Sequence, residues 1–357
     1  MINRVRERNK KLIATLKALP KIDLHRHLEG SLRLSTLATI AEQHGIDLHS
    51  YEMEDLRPLV QVVDDTPNFQ EFLAKFAVLR KFYSSREAIS RIAYEAVSDA
   101  AADHIRYLEL RFNPVALANQ KDFTFEEVTD WVITSVNKAQ KDCNITVRLI
   151  IQMGRHEPQF ASHLVEIAIA NQDKGIVGVD LAGDEEHFTA EKFINVMLKA
   201  KEEGLYITAH AGECANCPAA NVYEAIEVIH ADRIGHGVHS KGDPRVLDLL
   251  YERQIALEMC PTSNLQTGSI ESFWGHPMTV YQSMGIPVTI NTDDPSVSNI
   301  TLSDEYIVVN QAIGVDFETL KKMIINAAQA AFLPAEEKQV LVDWFSKSLA
   351  NYKLEGY

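Results

Sequence analysis

The chain of 357 residues lacks several features that define common protein classes. It has no apolar run near the roughly 18 residues of a membrane-spanning helix, and its N-terminal segment has no unbroken apolar stretch typical of a signal peptide. Cysteine is scarce, and four cysteines in a chain of this length do not suggest the disulfide framework of a secreted protein. We therefore expect a cytoplasmic protein in a reducing compartment, with no membrane partner.

A positive charge excess and a dinucleotide-binding motif are also absent. The formal net charge is −15, whereas proteins that bind nucleic acid need a basic face against the phosphates. No G-x-G-x-x-G follows the first apolar run, which argues against a dinucleotide-binding fold. The hydrophobic content of 46% is that of a globular chain that can bury a large core. We expect a small-molecule partner and no nucleic acid, and the sequence leaves the oligomeric state undetermined.

The chain carries eight short apolar, β-prone runs, each of which ends in a polar or glycine-bearing turn. These runs are Lys21–Leu28, Arg106–Phe112, Thr146–Met153, Gly175–Leu181, Leu205–His210, Arg233–Val238, Ile255–Cys260 and Ile286–Thr292. Stretches of helical periodicity separate the later runs, and strands that alternate with helices predict a parallel sheet. Eight such units favour an α/β fold of the (β/α)8 TIM-barrel type over an open sheet. No linker divides the chain, so we predict a single domain over residues 1–357.

The interval between the first two runs, from Ser31 to His104, is unusually long and reads as a helical insertion. Its periodicity predicts helices over Leu34–His44, Asn68–Phe82 and Arg86–Asp103. In a barrel it would cover the C-terminal mouth, where substrates bind. Phe69, Phe72, Leu73 and Phe76 form one apolar stripe at helical spacing. The insertion is therefore a candidate lid over the site, whereas the spacing of the stripe alone favours packing on the barrel.

Chemically active side chains occupy the ends of four runs. His25 and His27 end the first, His210 ends the fifth with Glu213 shortly after it, and His236 lies between two glycines in the sixth. Asp293 and Asp294 follow the eighth. A barrel brings these ends together, and catalytic residues cluster at that face. Histidine nitrogen and aspartate oxygen are ligands that zinc favours, and spare carboxylates can move protons. The pattern predicts a metal-dependent hydrolase.

Each piece also has a simpler interpretation. An H-x-H pair arises easily by chance among 13 histidines, and His210 alone could be a hydrogen-bonded core residue. Glu213 could lie in the first turn of a helix, and one aspartate before Pro295 could cap a helix. The shared position at the strand ends favours the functional interpretation of the set.

Cys214 and Cys217 form a C-x-x-C directly after Glu213, a spacing found in zinc deaminases of the cytidine type. The histidine–glutamate spacing of that motif is not present, and Pro218 follows the cysteines instead of preceding them. We therefore do not assign these cysteines to a metal, and their role is left open.

At these residues the chain resembles the adenosine deaminase family of metal-dependent barrel hydrolases. The similar segments are PKIDLHRHLEG at 20–30, DLAGDE at 180–185, HAGE at 210–213, RIGHG at 233–237, CPTSN at 260–264 and NTDDP at 291–295. They occur in the same order over nearly the whole chain. The resemblance implies hydrolytic deamination of a 6-aminopurine nucleoside with one zinc ion per chain.

The resemblance also implies a role for each site residue. His25, His27, His210 and Asp293 would bind the zinc. Glu213 would donate a proton to N1 of the purine as general acid, which requires that burial raise its pKa. Asp294 would contact N7 and the Gly183 backbone N3, while His236 and Asp293 would orient the attacking hydroxide. His27 also faces the substrate in this scheme.

The insertion resembles that of the nucleoside-acting branch, in which Phe72, Leu73 and Phe76 would form an apolar gate over the substrate. Glu29 differs, because these enzymes usually carry aspartate there, against the ribose 5′ hydroxyl. Adenine or a modified adenosine is therefore an alternative substrate. Two more distant alternatives are a two-metal hydrolase and a non-catalytic binding protein on the same barrel.

Overall fold

The computed structural model describes residues 2–48, 50–118 and 121–354, and eight parallel strands form its centre. The strands are β1 (Lys21–His27), β2 (Ile105–Phe112), β3 (Thr146–Gly154), β4 (Ile176–Ala182), β5 (Tyr206–Ala211), β6 (Arg233–His236), β7 (Ala256–Met259) and β8 (Val288–Ile290). Each lies within two residues of a run predicted from the sequence, at either end. Neighbours in the sheet follow the chain order from β1 to β8.

Helices surround this sheet. They are α1 (Ile2–Ala18), α2 (Leu34–His44), α3 (Met53–Val60), α4 (Phe69–Leu79), α5 (Arg86–Ala102), α6 (Pro114–Ala118), α7 (Phe125–Cys143), α8 (Ala161–Ala170), α9 (Ile194–Glu202), α10 (Ala219–Glu227), α11 (Pro244–Glu252), α12 (Pro261–Gln266), α13 (Met278–Ser283), α14 (Leu302–Val308), α15 (Phe317–Ala330) and α16 (Ala335–Leu349). In the described part of the chain, none is long and apolar enough to cross a membrane.

The sheet closes into a barrel through a bridge between β1 and the segment that directly follows β8. Arg26 in β1 pairs in parallel with Asp293, just after β8. The His27 N–H donates to the Asp293 carbonyl at 2.9 Å, and the Asp293 N–H donates to the His25 carbonyl at 2.8 Å. The predicted (β/α)8 barrel is therefore confirmed, and the closing bridge lies among the predicted site residues.

The interval between β1 and β2 is helical, as predicted. It contains α2, α4 and α5 at the expected positions and also α3, which the sequence analysis did not predict. Pro58 lies inside α3, and an internal proline reads as a helix breaker in the sequence. Asn68 caps α4 by accepting the Glu71 N–H, which fixes where the apolar stripe begins.

Charged side chains fill part of the barrel interior. Arg111 from β2, Asp180 from β4 and Glu258 from β7 have no exposed surface. Arg111 Nη1 lies 3.1 Å from Asp180 Oδ2, and its Nη2 lies 2.9 Å from Glu258 Oε2. Burial of such charges is tolerated only when they are paired and hydrogen-bonded. This ion-pair network forms the floor beneath the site.

Candidate metal centre and substrate cleft

The four predicted metal ligands all lie together at the C-terminal ends of the strands. His25 and His27 are two residues apart on β1 and therefore project to the same face, and His210 comes from β5. Asp293 lies beside both β1 histidines because the closing bridge of the barrel holds its backbone there. One nitrogen or oxygen from each of the four residues lies within 4.8 Å of all the others.

Hydrogen bonds behind the histidines fix which nitrogen faces the centre. Nδ1 of His25 donates to Glu258 Oε2 at 2.6 Å, Nδ1 of His27 to Gln152 Oε1 at 2.7 Å, and Nδ1 of His210 to Asp180 Oδ1 at 3.1 Å. With a proton on Nδ1, each ring directs Nε2 at the centre, and the lone pair of that nitrogen is available to a metal ion. A carbonyl or carboxylate behind each ring is the usual arrangement for histidines that bind a metal.

The distances between the four donor atoms fit tetrahedral coordination of one cation. His27 Nε2 lies 3.3 Å from His25 Nε2 and 3.2 Å from His210 Nε2, and Asp293 Oδ1 lies 3.1 Å from His27 Nε2. Zinc bonds of about 2.1 Å in tetrahedral geometry place ligand atoms about 3.4 Å apart. Three lone pairs and a carboxylate at such separations repel one another unless a positive charge lies between them. These residues can therefore hold a metal ion.

The pKa shifts differ within the donor set, because burial lowers the pKa of His210 to about 4 whereas ion-pair contacts dominate at His25 and Asp293. Burial and Arg111 oppose protonation of His25, yet hydrogen bonds to Asp293 and Glu258 raise its pKa above the usual value. Burial also opposes ionisation of Asp293, but hydrogen bonds from His25 and His27 hold its pKa well below the usual value.

Glu213 lies on a tight turn after β5. Gly212 adopts a left-handed φ of 64°, which favours glycine. The buried carboxylate of Glu185 accepts the backbone N–H groups of Gly212 at 2.8 Å and of Glu213 at 2.6 Å. Glu213 precedes α10 by several residues, so the interpretation as a first-turn carboxylate is wrong.

Glu213 and His236 face each other beside the donor cluster. Oε2 of Glu213 lies 3.5 Å from Nε2 of His236, which is also 3.8 Å from Oδ2 of Asp293. Burial, reinforced by the nearby carboxylates of Asp293 and Glu185, raises the pKa of Glu213 well above its usual value. The direction of this shift favours the protonated carboxyl.

Two further carboxyl groups line the same cleft. Burial and the neighbouring Asp293 raise the pKa of Asp294 well above its usual value, and burial raises that of Glu29. Glu29 Oε1 accepts the Asn113 N–H at 2.7 Å. Within the described residues, Glu29 Oε2 and Asp294 Oδ1 are buried without a partner. Pro295 begins a turn and not a helix, so the alternative of a capping aspartate is not supported.

These side chains share one cavity of about 370 Å³. Gly183, with φ of 101°, lies on its wall after β4. Phe69, Phe72, Leu73 and Phe76 of α4 line the opposite side, where Phe72 is buried and Phe76 half-buried. The stripe therefore both packs inward and faces the cleft. Every predicted site residue except His25 lines this cavity, and His25 lies directly beneath it in the donor cluster.

The sequence analysis missed the residues behind the cluster. Asp180, Glu258 and Arg111 lie inside the apolar runs of β4, β7 and β2. A charged residue inside an apolar strand is itself a signal, because it must find a buried partner. Gln152 and Asn264 gave no comparable signal, since an amide fits many environments.

Cys214 and Cys217 are joined by a disulfide bond, which the expectation of a wholly reduced chain did not include. The bond closes the turn just after Glu213. Cys143 and Cys260 are free. The sequence analysis was right that these cysteines form no extended disulfide framework, but it did not predict this local bond.

The barrel and its donor cluster together are those of a metal-dependent hydrolase. The sequence model of the family described as adenosine deaminase matches residues 20–348. An adenosine deaminase of Clostridium botulinum (strain Okra) is 40% identical over 336 residues, which cover 94% of this chain and 99% of the relative. The chain belongs to the adenosine deaminase family, and it is a hydrolytic deaminase.

Two solved structures share this architecture. An amidohydrolase from Burkholderia ambifaria with bound zinc is 26% identical, with a TM-score of 0.83 and coverage of 95% of each chain. The N6-methyl-AMP deaminase of Arabidopsis thaliana is 27% identical, also with a TM-score of 0.83, and the match covers 95% of this chain and all of that one. The TIM-barrel fold is thus common to relatives with different substrates.

Proposed function

We propose that this enzyme converts adenosine and 2′-deoxyadenosine, with water, to inosine and deoxyinosine plus ammonia, using one zinc ion per chain. The observation that carries the proposal is the placement of Glu213. Its buried carboxyl, with raised pKa, lies in the same cleft as a four-residue donor set of tetrahedral spacing. A proton donor beside a site for a Lewis acid is what hydrolysis of a neutral amidine requires.

His25, His27, His210 and Asp293 would hold the zinc. Three imidazoles with fixed tautomers and one carboxylate form a donor set that zinc favours, and the bound zinc of the Burkholderia relative supports that choice of metal. When bound, zinc would lower the pKa of a water molecule toward neutrality and so supply the nucleophile.

Glu213 would hold its proton toward N1 of the purine. Protonation of N1 draws electrons from C6 and makes that carbon accept hydroxide. Burial raises the pKa of Glu213 well above its usual value, which favours the protonated carboxyl that this role needs. After addition, C6 carries both the new oxygen and the amino group. The amino group would then take up the proton that the attacking oxygen gives to Asp293 and leave as ammonia. The proton on N1 stays on the 6-oxopurine product, and Glu213 would regain a proton when water forms the next hydroxide.

His236 and Asp293 would steer the nucleophile to C6. Nε2 of His236 is fully buried and, among the described residues, has no hydrogen-bond partner. It lies between Glu213 and Asp293, at 3.5 Å and 3.8 Å from their carboxylate oxygens. An N–H at that position would donate to the attacking oxygen, while Asp293 Oδ2 would accept its proton.

Asp294, Gly183 and Glu29 would bind the nucleoside. With its pKa raised, Asp294 can donate a proton to N7, and the Gly183 N–H would donate to N3. Glu29 Oε2, buried without a partner among the described residues, would accept a ribose hydroxyl. His27 borders the same space, and Phe72, Leu73 and Phe76 would cover the purine and exclude water.

A second candidate is another 6-aminopurine, adenine or a modified adenosine, and Glu29 is the observation that favours it. Its side chain is one methylene longer than the aspartate usual in nucleoside-acting relatives. The Arabidopsis relative is named for N6-methyl-AMP, so this barrel also serves substituted 6-aminopurines. A two-metal site has less support, because the carboxylate of Asp180 at the end of β4 already contacts His210 and Arg111.

Turnover of adenosine, 2′-deoxyadenosine, adenine and N6-methyladenosine 5′-monophosphate, followed by ultraviolet absorbance on zinc-quantified protein, tests this proposal. Turnover of the two nucleosides with one zinc per chain would support it. Exclusive turnover of adenine or the methylated nucleotide would preserve the chemistry and change the substrate. Glu29→Asp is the matched variant, since it should then shift preference toward adenosine. Stoichiometric zinc without any turnover would favour the non-catalytic alternative.

A further inference from the structure

Behind His236, on the side away from the cleft, a line of hydrogen bonds leads to the edge of the barrel. Nδ1 of His236 lies 3.0 Å from the amide nitrogen of Asn264 in α12. The amide oxygen of Asn264 lies 3.4 Å from Nε2 of His276, in the loop before α13. Nδ1 of His276 in turn lies 3.2 Å from the backbone nitrogen of Met278. His236, Asn264 and His276 are almost completely buried.

The backbone end of this line determines the direction of every hydrogen bond in it. The Met278 N–H can only donate, so Nδ1 of His276 must accept and cannot carry a proton. Burial lowers the pKa of His276 to about 4, so the ring is neutral at physiological pH and its proton is on Nε2. Nε2 of His276 therefore donates to the amide oxygen of Asn264.

Asn264 transmits this polarity to His236. With its oxygen occupied by His276, its NH2 group is directed at Nδ1 of His236 and donates to it. Nδ1 of His236 thus accepts, and the ring proton lies on Nε2. That nitrogen is the one directed at the space between Glu213 and Asp293. It is also the one buried without a partner in the described part of the chain.

We propose that Asn264 and His276 are positioning residues that hold His236 in the tautomer with its proton on Nε2, directed at the attacking oxygen. The opposite tautomer would place a lone pair there and repel that oxygen. Neither Asn264 nor His276 lines the cleft, so both act through His236. The catalytic consequence rests on the proposed function, whereas the tautomer itself does not.

Asn264→Asp is the decisive variant because it keeps the shape and reverses one hydrogen bond. A carboxylate at this position only accepts, so it draws a proton onto Nδ1 of His236. Zinc-loaded protein with 15N-labelled histidine, with His236 assigned by its loss in His236→Gln, reports which ring nitrogen carries a proton. We expect unprotonated Nδ1 in the unmodified protein and protonated Nδ1 in Asn264→Asp. An unchanged Nδ1 signal in the variant would overturn the proposal.

Kinetics of the same proteins test the catalytic consequence. We expect kcat of Asn264→Asp to fall about 100-fold or more while KM and zinc content stay nearly constant, since a wrong histidine tautomer costs up to about 10⁴ in kcat in a serine protease. His276→Phe frees the Asn264 amide to rotate and should lower kcat by a smaller factor. A rise in KM or a loss of bound zinc, with kcat preserved, would contradict the positioning role.

Asn326→Asp is the matched control. Asn326 in α15 is half-buried, and its amide donates to the Val288 carbonyl, away from the cleft. This variant should leave the His236 signals and kcat unchanged. If it altered both as strongly as Asn264→Asp, the effect would be a general one of a buried charge, and the proposal would fail. Failure of the proposed function is distinguishable: the unmodified protein would be inert on every 6-aminopurine, while the nitrogen signals would still support the tautomer.

Discussion

Arg111 Nη2 lies 2.9 Å from Glu258 Oε2, the same oxygen that accepts the proton of His25 Nδ1. Through its other terminal nitrogen Arg111 contacts Asp180, which orients His210. One buried cation thus aligns two of the three histidines in the donor cluster. The barrel floor and the metal centre are therefore a single electrostatic unit.

Replacement of this cation should damage both stability and metal binding. Arg111→Met leaves Asp180 and Glu258 buried with reduced compensation, and loss of one partner of a buried pair costs about 3–5 kcal/mol. Metal affinity should fall about 10- to 100-fold, as is typical when a partner behind a ligand is lost. Urea unfolding and metal titration measure the two effects. Arg148→Met, which breaks a surface pair with Glu337, should cost less than about 1 kcal/mol.

Glu213→Gln should separate proton donation from metal binding. The amide is almost the same size but is a poor acid, so kcat should fall by a factor of about 100 to 10,000. Zinc content and the unfolding midpoint should remain near those of the unmodified protein, because Glu213 is not in the donor cluster. Steady-state kinetics with metal analysis would check this. Near-normal turnover would remove Glu213 as the acid.

His27→Ala should have the converse effect. It removes a donor atom that lies 3.1–3.3 Å from three other donors of the cluster. Loss of a residue that only hydrogen-bonds to a metal ligand lowers metal affinity by up to about 100-fold, so loss of the ligand itself should lower it further. Activity should fall with the metal affinity. Competition with a chelator measures the affinity. Retention of one tightly held zinc per chain would exclude His27 as a ligand.

Gly235→Ala tests how closely the strands approach at the site. A Cβ at this position would lie 2.8 Å from Cε1 of His25, too close for the ring to stay in place. We expect displacement of His25, weaker metal binding and at least about a tenfold loss of activity. Gly242→Ala is the control, since its nearest neighbour would be 3.6 Å away. Full zinc occupancy in Gly235→Ala would mean that the ring has room to move.

Glu305 should make stability depend on pH. Burial raises its pKa to about 8, while Oε1 accepts the Thr262 N–H at 2.9 Å. Between the unfolded value near 4.5 and about 8, the folded state keeps a proton that the unfolded chain releases. The contribution of this protonation to the free energy of unfolding is complete below the pKa of the unfolded state. It falls by about 1.4 kcal/mol per pH unit as the pH rises, until the pKa of the folded state is passed.

Glu305→Gln should remove this slope, because the amide keeps the acceptor for Thr262 but does not titrate. As the pH rises from 5 to 8, the free energy of unfolding should therefore increase in the variant relative to the unmodified protein. Urea unfolding of both proteins at four pH values, with saturating zinc, gives the difference. Parallel curves would show that Glu305 is not protonated in the folded state.

The positions of the strand ends were predictable, but their local conformations were not. Apolar runs with His25 and His210 near their ends, and Asp293 directly after the last run, located both the barrel and its site. The left-handed backbones of His236 and Asp293, with φ of 60° and 63°, had no signal in the sequence, because non-glycine residues seldom adopt them. Packing between distant strands imposes these conformations.

The tautomer-fixing residues were equally hidden. Asn264 lies in a segment that resembles the family, yet nothing in the sequence connects it with His276 or His236. Their relation depends on hydrogen bonds between a helix, a loop and a strand, and such contacts follow from the folded geometry alone. Helix α3 was missed for a simpler reason, since Pro58 disguises it.

The bridge between Arg26 and Asp293 has a consequence for the newly made chain. Asp293 can meet β1 only after all eight strands have been synthesised, since it follows the last of them in the chain. A nascent chain still attached to the ribosome before β8 emerges has its histidines but not its fourth donor. Tight binding of a metal ion by all four donors therefore becomes possible only near the end of synthesis, and any fragment that stops short of residue 293 lacks the fourth donor.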